Sequence, residues 1–379
     1  MIYLDNSATT KPHKEVLASF HKVAETYFAN PSSIHHFGSE AERLLQQSKK
    51  QAAQLLAVKP EEVIFTSGGT EGNNMAIKGI ALQHQNRGKH IITSSIEHPS
   101  VLEACRSLES LGFEVTYLPV NEFGEVSPSD VENAIKDDTI LISIMSVNNE
   151  IGTIQPIKEI GKIASSHHKL FFHVDHVQGL GKHQLDIKGH GIDLCTFSGH
   201  KIHGLKGTGA LYVKNGTTLF PLMHGGSQEA SLRSGTENLA GIVSFVKALR
   251  LILEAEKTNR DKMTEMNQFL REKINEMSGV VLNSPEEAAL HILNFSVPGL
   301  KPEVIIHSLG KKEIFISTKS ACSSKDADES AVLAACGMEH DRTVSALRVS
   351  LSYENSIDEV RTFCEQLEQT INELHEVMG

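Results

Sequence analysis

Residues 170–178 read Leu170-Phe171-Phe172-His173-Val174-Asp175-His176-Val177-Gln178, and residues 193–201 read Asp193-Leu194-Cys195-Thr196-Phe197-Ser198-Gly199-His200-Lys201. In each, an apolar run too short for a helix ends in polar residues. Continuous apolar runs of this length are the pattern of strands buried on both faces of a parallel sheet. Similar runs occur at 63–66, 90–93, 114–118, 140–146 and 209–213. Between several of them lie stretches with apolar residues at helical spacing, such as 39–58 and 157–168. Ser127-Pro128-Ser129-Asp130 opens another helix, with a capping residue, a proline at the first helical position and an acid in the first turn. Alternation of this kind predicts an α/β fold. From 237 to 277 a proline-free, charged pattern predicts one long helix, or two in tandem, leading to a second domain. Its texture is different: strands at 291–295, 314–317 and 345–351, a short helix from Pro302 and a final helix at 356–377, which together predict a smaller α+β domain.

Composition narrows the function. The chain has 379 residues, is 40% hydrophobic and carries a net charge of −11, so it can bury a large core and offers no basic face for nucleic acid. No apolar run approaches the length of a membrane span, and the start, Met1 to Thr10, lacks the pattern of a secretory signal. Five cysteines, an odd number with no CxxC pair, argue against a disulfide framework and for a reducing, cytoplasmic setting. His35-His36, His167-His168 and His340 show no metal-ligand spacing, so no metal is expected.

Four features carry chemistry. Lys201, at the end of a predicted buried strand, could become an imine-forming amine through desolvation; alone it also reads as a solvated loop lysine. Asp175 stands at the end of another predicted strand, 26 residues earlier, where it could face the ring nitrogen of pyridoxal phosphate or simply cap a helix. Thr66-Ser67-Gly68-Gly69-Thr70-Glu71-Gly72-Asn73-Asn74 is a glycine turn between a strand and a helix, a shape that can cradle phosphate. Cys322 lies in Ser320-Ala321-Cys322-Ser323-Ser324, a small polar stretch that suggests an exposed nucleophile on a mobile loop, whereas Cys105 and Cys195 sit in apolar patterns and read as core.

Taken in order, Tyr3-Leu4-Asp5-Asn6, Thr66 to Asn74, Glu97-His98, Val147 to Gly152, Ser198 to Gly209, Arg233-Ser234-Gly235-Thr236-Glu237-Asn238 and Ser320 to Ser323 resemble the cysteine desulfurases of the NifS/IscS kind, of the class V aminotransferase family, over essentially the whole chain. The resemblance implies a fold-type-I, aspartate aminotransferase-like pyridoxal-phosphate transferase. Its large cofactor-binding domain would span 13–258, with 1–12 and 259–379 forming the small domain that carries a cysteine loop at about 318–332. It implies that Lys201 attaches the cofactor, Asp175 pairs with the pyridine nitrogen, Gln178 bonds the ring oxygen and His98 stacks on the ring and takes part in proton transfer. Gly69, Thr70, Ser198 and His200 would hold the phosphate, with Thr236 reaching across from a second subunit of a homodimer. Asn149 and Arg348 would hold the substrate carboxylate. Cys322 would take sulfur from L-cysteine, release L-alanine and pass its persulfide to a protein acceptor, an iron-sulfur scaffold or a tRNA thiolation enzyme, as in the long-loop group. Four positions depart from the family pattern: His176 and Val177 replace two small residues, the first suggesting altered packing near the ring, Ser7 replaces an asparagine, and Ala230 replaces an arginine, which suggests a weaker surface contact. A selenocysteine lyase, another pyridoxal-phosphate lyase and a weakly active docking subunit stay open as alternatives.

Overall fold

The computed structural model describes residues 1–318 and 329–378. After a two-residue strand β1 (Ile2–Tyr3), seven strands build the principal sheet: β2 (Val63–Thr66), β3 (His90–Ser94), β4 (Glu114–Leu118), β5 (Thr139–Met145), β6 (Phe171–Asp175), β7 (Leu194–Ser198) and β8 (Gly209–Val213). Their order is β2-β8-β7-β6-β5-β3-β4. Only β8 runs against its neighbours, pairing antiparallel with β2 and β7. The other adjacent pairs are parallel.

Successive residues of a strand point to opposite faces, and each face here meets its own core. Ile91, Leu194 and Leu211 join Met75, Ile80 and Val101 from the helices Gly69–His84 and Pro99–Glu109. Ile92, Cys195 and Tyr212 join Ile160, Phe245 and Leu249 from the helices Ile157–Ser165 and Leu239–Glu276 on the other side. Burial on both faces is why all seven residues of β5 are buried and why the strands read as unbroken apolar runs.

The helix Leu239–Glu276 is continuous over 38 residues, one helix rather than two. At 1.5 Å per residue it is about 57 Å long and links the principal sheet to a second one. That sheet contains β9 (Val281–Leu282) and β10 (Ile292–Ser296); β11 (Ile314–Phe315) pairs in parallel with β1; and β12 (Ala346–Ser350) pairs antiparallel with β10. The strands β1 and β9 went unpredicted because two residues give no periodicity. The helix expected after Ser127 exists at Pro128–Ala134, but the Ser127 hydroxyl pairs with Ser129 Oγ at 2.7 Å instead of capping it. Among the described residues no helix is long and apolar enough to cross a membrane, and no cluster of side chains suits a metal ion. Cys105, Cys195, Cys336 and Cys364 are buried and unbridged.

Candidate active site

In open sheets the carboxyl ends of the strands are where ligands bind, and a cavity of about 150 Å³ lies there. Asp175 is the last residue of β6, Ser198 the last of β7, and Lys201 follows in the next turn. Ten of the expected residues line this one cavity: Gly69, Thr70, His98, Asn149 and Asp175, with Gln178, Ser198, His200, Lys201 and Arg348. Thr236 does not; it is exposed on a separate loop. The helix after that loop is capped by Asn238, whose Oδ1 accepts from Gly241 N, so Thr236 is not its cap. Cys322 lies outside the described residues.

Each group is anchored by its neighbours. The Asp175 carboxylate accepts from Asn73 Nδ2 at 2.7 Å and from Val177 N at 3.0 Å. Lys201 Nζ donates to the carbonyls of Ser7 and, at 2.8 Å, Ala8, so the N-terminal segment folds over the lysine. Gln178 Nε2 donates to the same Ser7 carbonyl at 3.0 Å. His200 shares a hydrogen bond with Thr9 Oγ1, and burial together with Lys201, Lys206 and Lys182 pushes its imidazole down to about 4, so it is neutral. Arg348, 1% exposed on β12, donates to Asp5 Oδ1, Ser317 Oγ and the Asn149 carbonyl at 2.8–3.0 Å.

The cradle is tight. Gly68, with φ of 151°, ends the turn before the helix Gly69–His84 and provides no side-chain cap. A Cβ on Gly69 would lie 2.9 Å from Val177 Cγ2, and one on Gly72 would lie 2.7 Å from Thr196 Cγ2. Only glycine lets this helix end sit against β6 and β7, aiming its uncapped N–H groups at the cavity. Glu71 fastens the same turn: burial opposes its ionisation, but hydrogen bonds from Ser67 and Arg233 outweigh that and hold its carboxyl below the ordinary value.

Five buried polar atoms of cavity residues have no hydrogen-bond partner: Ser7 Oγ, Asn73 Oδ1, Gln178 Oε1, Ser198 Oγ and Arg348 Nε. An uncapped helix N-terminus beside a free hydroxyl suits a phosphate, and a carboxylate held by two N–H donors suits a protonated ring nitrogen. The donor set therefore fits pyridoxal phosphate. His176 does not bear on it. It lies outside the cavity, its Nδ1 is 2.8 Å from Ser146 Oγ, and its ring meets Phe197 edge-on, whereas its neighbour Val177 lines the cavity.

Asn73, Ser100, Asp5 and Glu97 were not singled out as site residues, although Asn73, Asp5 and Glu97 stand inside quoted motifs. Their signal was the motif; their role needed the contacts.

This sheet, with its site at the carboxyl ends of β6 and β7, defines the class: an α/β enzyme of fold type I. The class-V aminotransferase family matches residues 2–363. The chain is 47% identical to a NifS/IcsS protein homolog of Lactobacillus delbrueckii subsp. bulgaricus, covering 96% of this chain and 95% of that protein. It is 44% identical to the cysteine desulfurase IscS of Dictyoglomus turgidum, covering 99% and 96%. A solved NifS-like protein superposes with a TM-score of 0.92 at 34% identity, covering 98% of this chain and 99% of that one. SspA in complex with cysteine superposes with a TM-score of 0.82 at 37% identity, covering 93% and 99%. The chain thus belongs to the class-V aminotransferases, a family of pyridoxal-phosphate enzymes, and within it to the cysteine desulfurases of the NifS/IscS kind.

Proposed function

We propose that this protein takes sulfur from L-cysteine with pyridoxal phosphate, releases L-alanine, and carries the sulfur as a persulfide on Cys322 to a protein acceptor for iron-sulfur assembly or tRNA thiolation. The convergence of Lys201, Asp175, Ser198 and Arg348 on one cavity carries the reading. When bound, pyridoxal phosphate supplies an electron sink for the pair left at the substrate Cα. Lys201 Nζ would attach it, and His98 would stack on its ring beside the path of the substrate proton. Asp175 would keep the ring nitrogen protonated, and Gln178 would meet the ring oxygen. Gly69, Thr70, Ser198, His200 and the helix N-terminus hold the phosphate. Arg348, still with a donor at Nε, and Asn149 orient the substrate carboxylate. The Cys322 thiolate attacks the substrate sulfur; the Cβ–S bond breaks, an S–S bond forms, and protonation of the carbon side yields alanine, so one cysteine and one thiol become one alanine and one persulfide.

The site is completed in a homodimer in the cytoplasm, with Thr236 serving the partner's phosphate. Its exposure away from its own cavity supports this, as do the exposed apolar side chains of Phe28, Ile34 and Phe37, the first and last with ring centroids 6.3 Å apart. Residues 13–258 form the large domain, with 1–12 and 259–379 forming the small one; the separate sheets support that division.

The test compares the wild type with Cys322→Ala at equal cofactor content, measuring alanine and sulfide from L-cysteine with a thiol reductant. The wild type is expected to form both and the variant neither, while light scattering gives twice the mass of one chain. Equal alanine formation by the variant would make the protein a lyase that does not use Cys322.

A further inference from the structure

One hydrogen-bond chain joins two of the cavity's groups through two residues with no assigned role. Asn73 Nδ2 donates to Asp175 Oδ2 at 2.7 Å and to Ser100 Oγ at 2.8 Å, which uses both amide hydrogens. Ser100 Oγ in turn lies 2.8 Å from His98 Nδ1. The Ser100 backbone N–H donates to that same ring nitrogen at 3.1 Å, and a backbone N–H cannot reverse its role. A ring nitrogen that accepts an N–H carries no proton, so a neutral His98 holds its proton on Nε2. With Asn73 donating to its oxygen, the Ser100 hydroxyl directs its own hydrogen at Nδ1. His98 is also the N-cap of the helix Pro99–Glu109, where the partial positive charge of the helix end opposes an imidazolium. Among the charged groups that face it, Asp175 from β6 favours protonation, while Lys201, after β7, opposes it; His200 lines the same cavity, and so does Arg348 from β12. Burial is the largest influence and moves the imidazole below its ordinary value.

We propose that Asn73 and Ser100 are positioning residues that hold His98 as a neutral imidazole with its proton on Nε2, so that the ring offers the cavity a hydrogen-bond donor and not a base. A histidine kept neutral at a helix N-terminus acts in this way in other enzymes, polarising the bound molecule while a different group moves the proton. Lys201 is then the group left to move the substrate proton. The inference rests on the reading of this cavity as the cofactor and substrate site.

The test is nitrogen NMR of the cofactor-free protein, labelled with ¹⁵N at histidine, with the His98 signals identified by their loss in His98→Gln. The expected result is a neutral form protonated at Nε2, with its titration midpoint below the ordinary value of about 6.5. Ser100→Ala removes one hydrogen bond to Nδ1 but keeps the backbone N–H, and is expected to raise the His98 pKa by roughly half to one unit with the proton of the neutral ring still on Nε2. Ser100→Thr, which keeps the hydroxyl, restores the wild-type spectrum. Asn73→Ala frees the hydroxyl to accept and shifts the pKa in the same direction; it serves where Ser100→Ala does not fold. A proton on Nδ1, titration near the ordinary value of about 6.5, or unchanged spectra in both variants would overturn the proposal. Because the readout needs neither cofactor nor turnover, failure to form alanine from cysteine would sink the desulfurase reading and leave this result standing.

Discussion

Glu97, next to His98, is 4% exposed. Its Oε1 accepts from Ser94 Oγ at 2.6 Å and Met145 N at 3.0 Å, and its Oε2 has no partner. Burial pushes its carboxyl up to about 8 against those two hydrogen bonds, with Asp175 adding to the rise. The group is therefore a neutral acid at neutral pH. Its folded-state pKa exceeds the unfolded value of about 4.3, so its contribution to stability is present below that value and is lost as pH rises towards 8. Glu97→Gln imitates the protonated acid without the titration. In urea unfolding, the stability of the variant relative to the wild type is expected to increase steadily from pH 5 to pH 8; a constant difference would show that Glu97 does not titrate in this range. The sequence marked Glu97-His98 as a motif, but a carboxyl's protonation is set by what surrounds it, and the surroundings come from β3 and β5.

At the scale of elements, Glu229, Ala230 and Ser231 take φ of 44°, 55° and 61° in succession, three residues with side chains in the left-handed region. The run is anchored by the buried Glu229 carboxylate, which accepts from Lys49 Nζ at 3.0 Å and from Phe65 N of β2 at 3.1 Å. Left-handed backbone costs a residue with a Cβ roughly 1–2 kcal/mol, of which glycine returns part to its larger unfolded freedom. Ser231 is exposed. Ser231→Gly is expected to stabilise the fold by about 0.5–1 kcal/mol, read as a higher urea midpoint at an unchanged slope; a lower midpoint would mean that the serine side chain supports the turn. The Ala230 departure from the family pattern thus falls in a strained turn. Strand periodicity was legible for β2 through β8 to within a residue or so, because burial on both faces leaves an apolar run. Backbone strain leaves no such trace.

At the scale of the whole molecule, the first ten residues stitch the two sheets together. Leu4 is fully buried; its N donates to Phe315 O at 2.9 Å, and Ser350 N donates to Leu4 O at 2.7 Å. Asn6 Nδ2 donates to Ser350 O at 2.9 Å, and Thr10 N donates to His200 O at 2.9 Å beside the cavity. Asp5 pairs with Arg348, and the carbonyls of Ser7 and Ala8 accept from Lys201. Deleting residues 1–8 removes a buried leucine and several buried hydrogen bonds, a loss of about 4 kcal/mol or more. The truncated chain is expected to unfold at a lower temperature and to lose the visible absorbance of the cofactor on gel filtration. Retention of both would show that the segment only covers a site formed without it.

Apolar period, capping and motif spacing are local and survive in one dimension, so the strands β2 to β8, the helices between several of them and the family were legible in the chain alone. Tertiary structure alone decided that Asp5 would meet Arg348 across 343 residues and that Asn73 would meet Asp175 across 102. It also decided which way His98 would carry its proton. Such contacts depend on how sheets and helices pack, and burial, which sets the charge state of Glu97 and His98, exists only once they have done so.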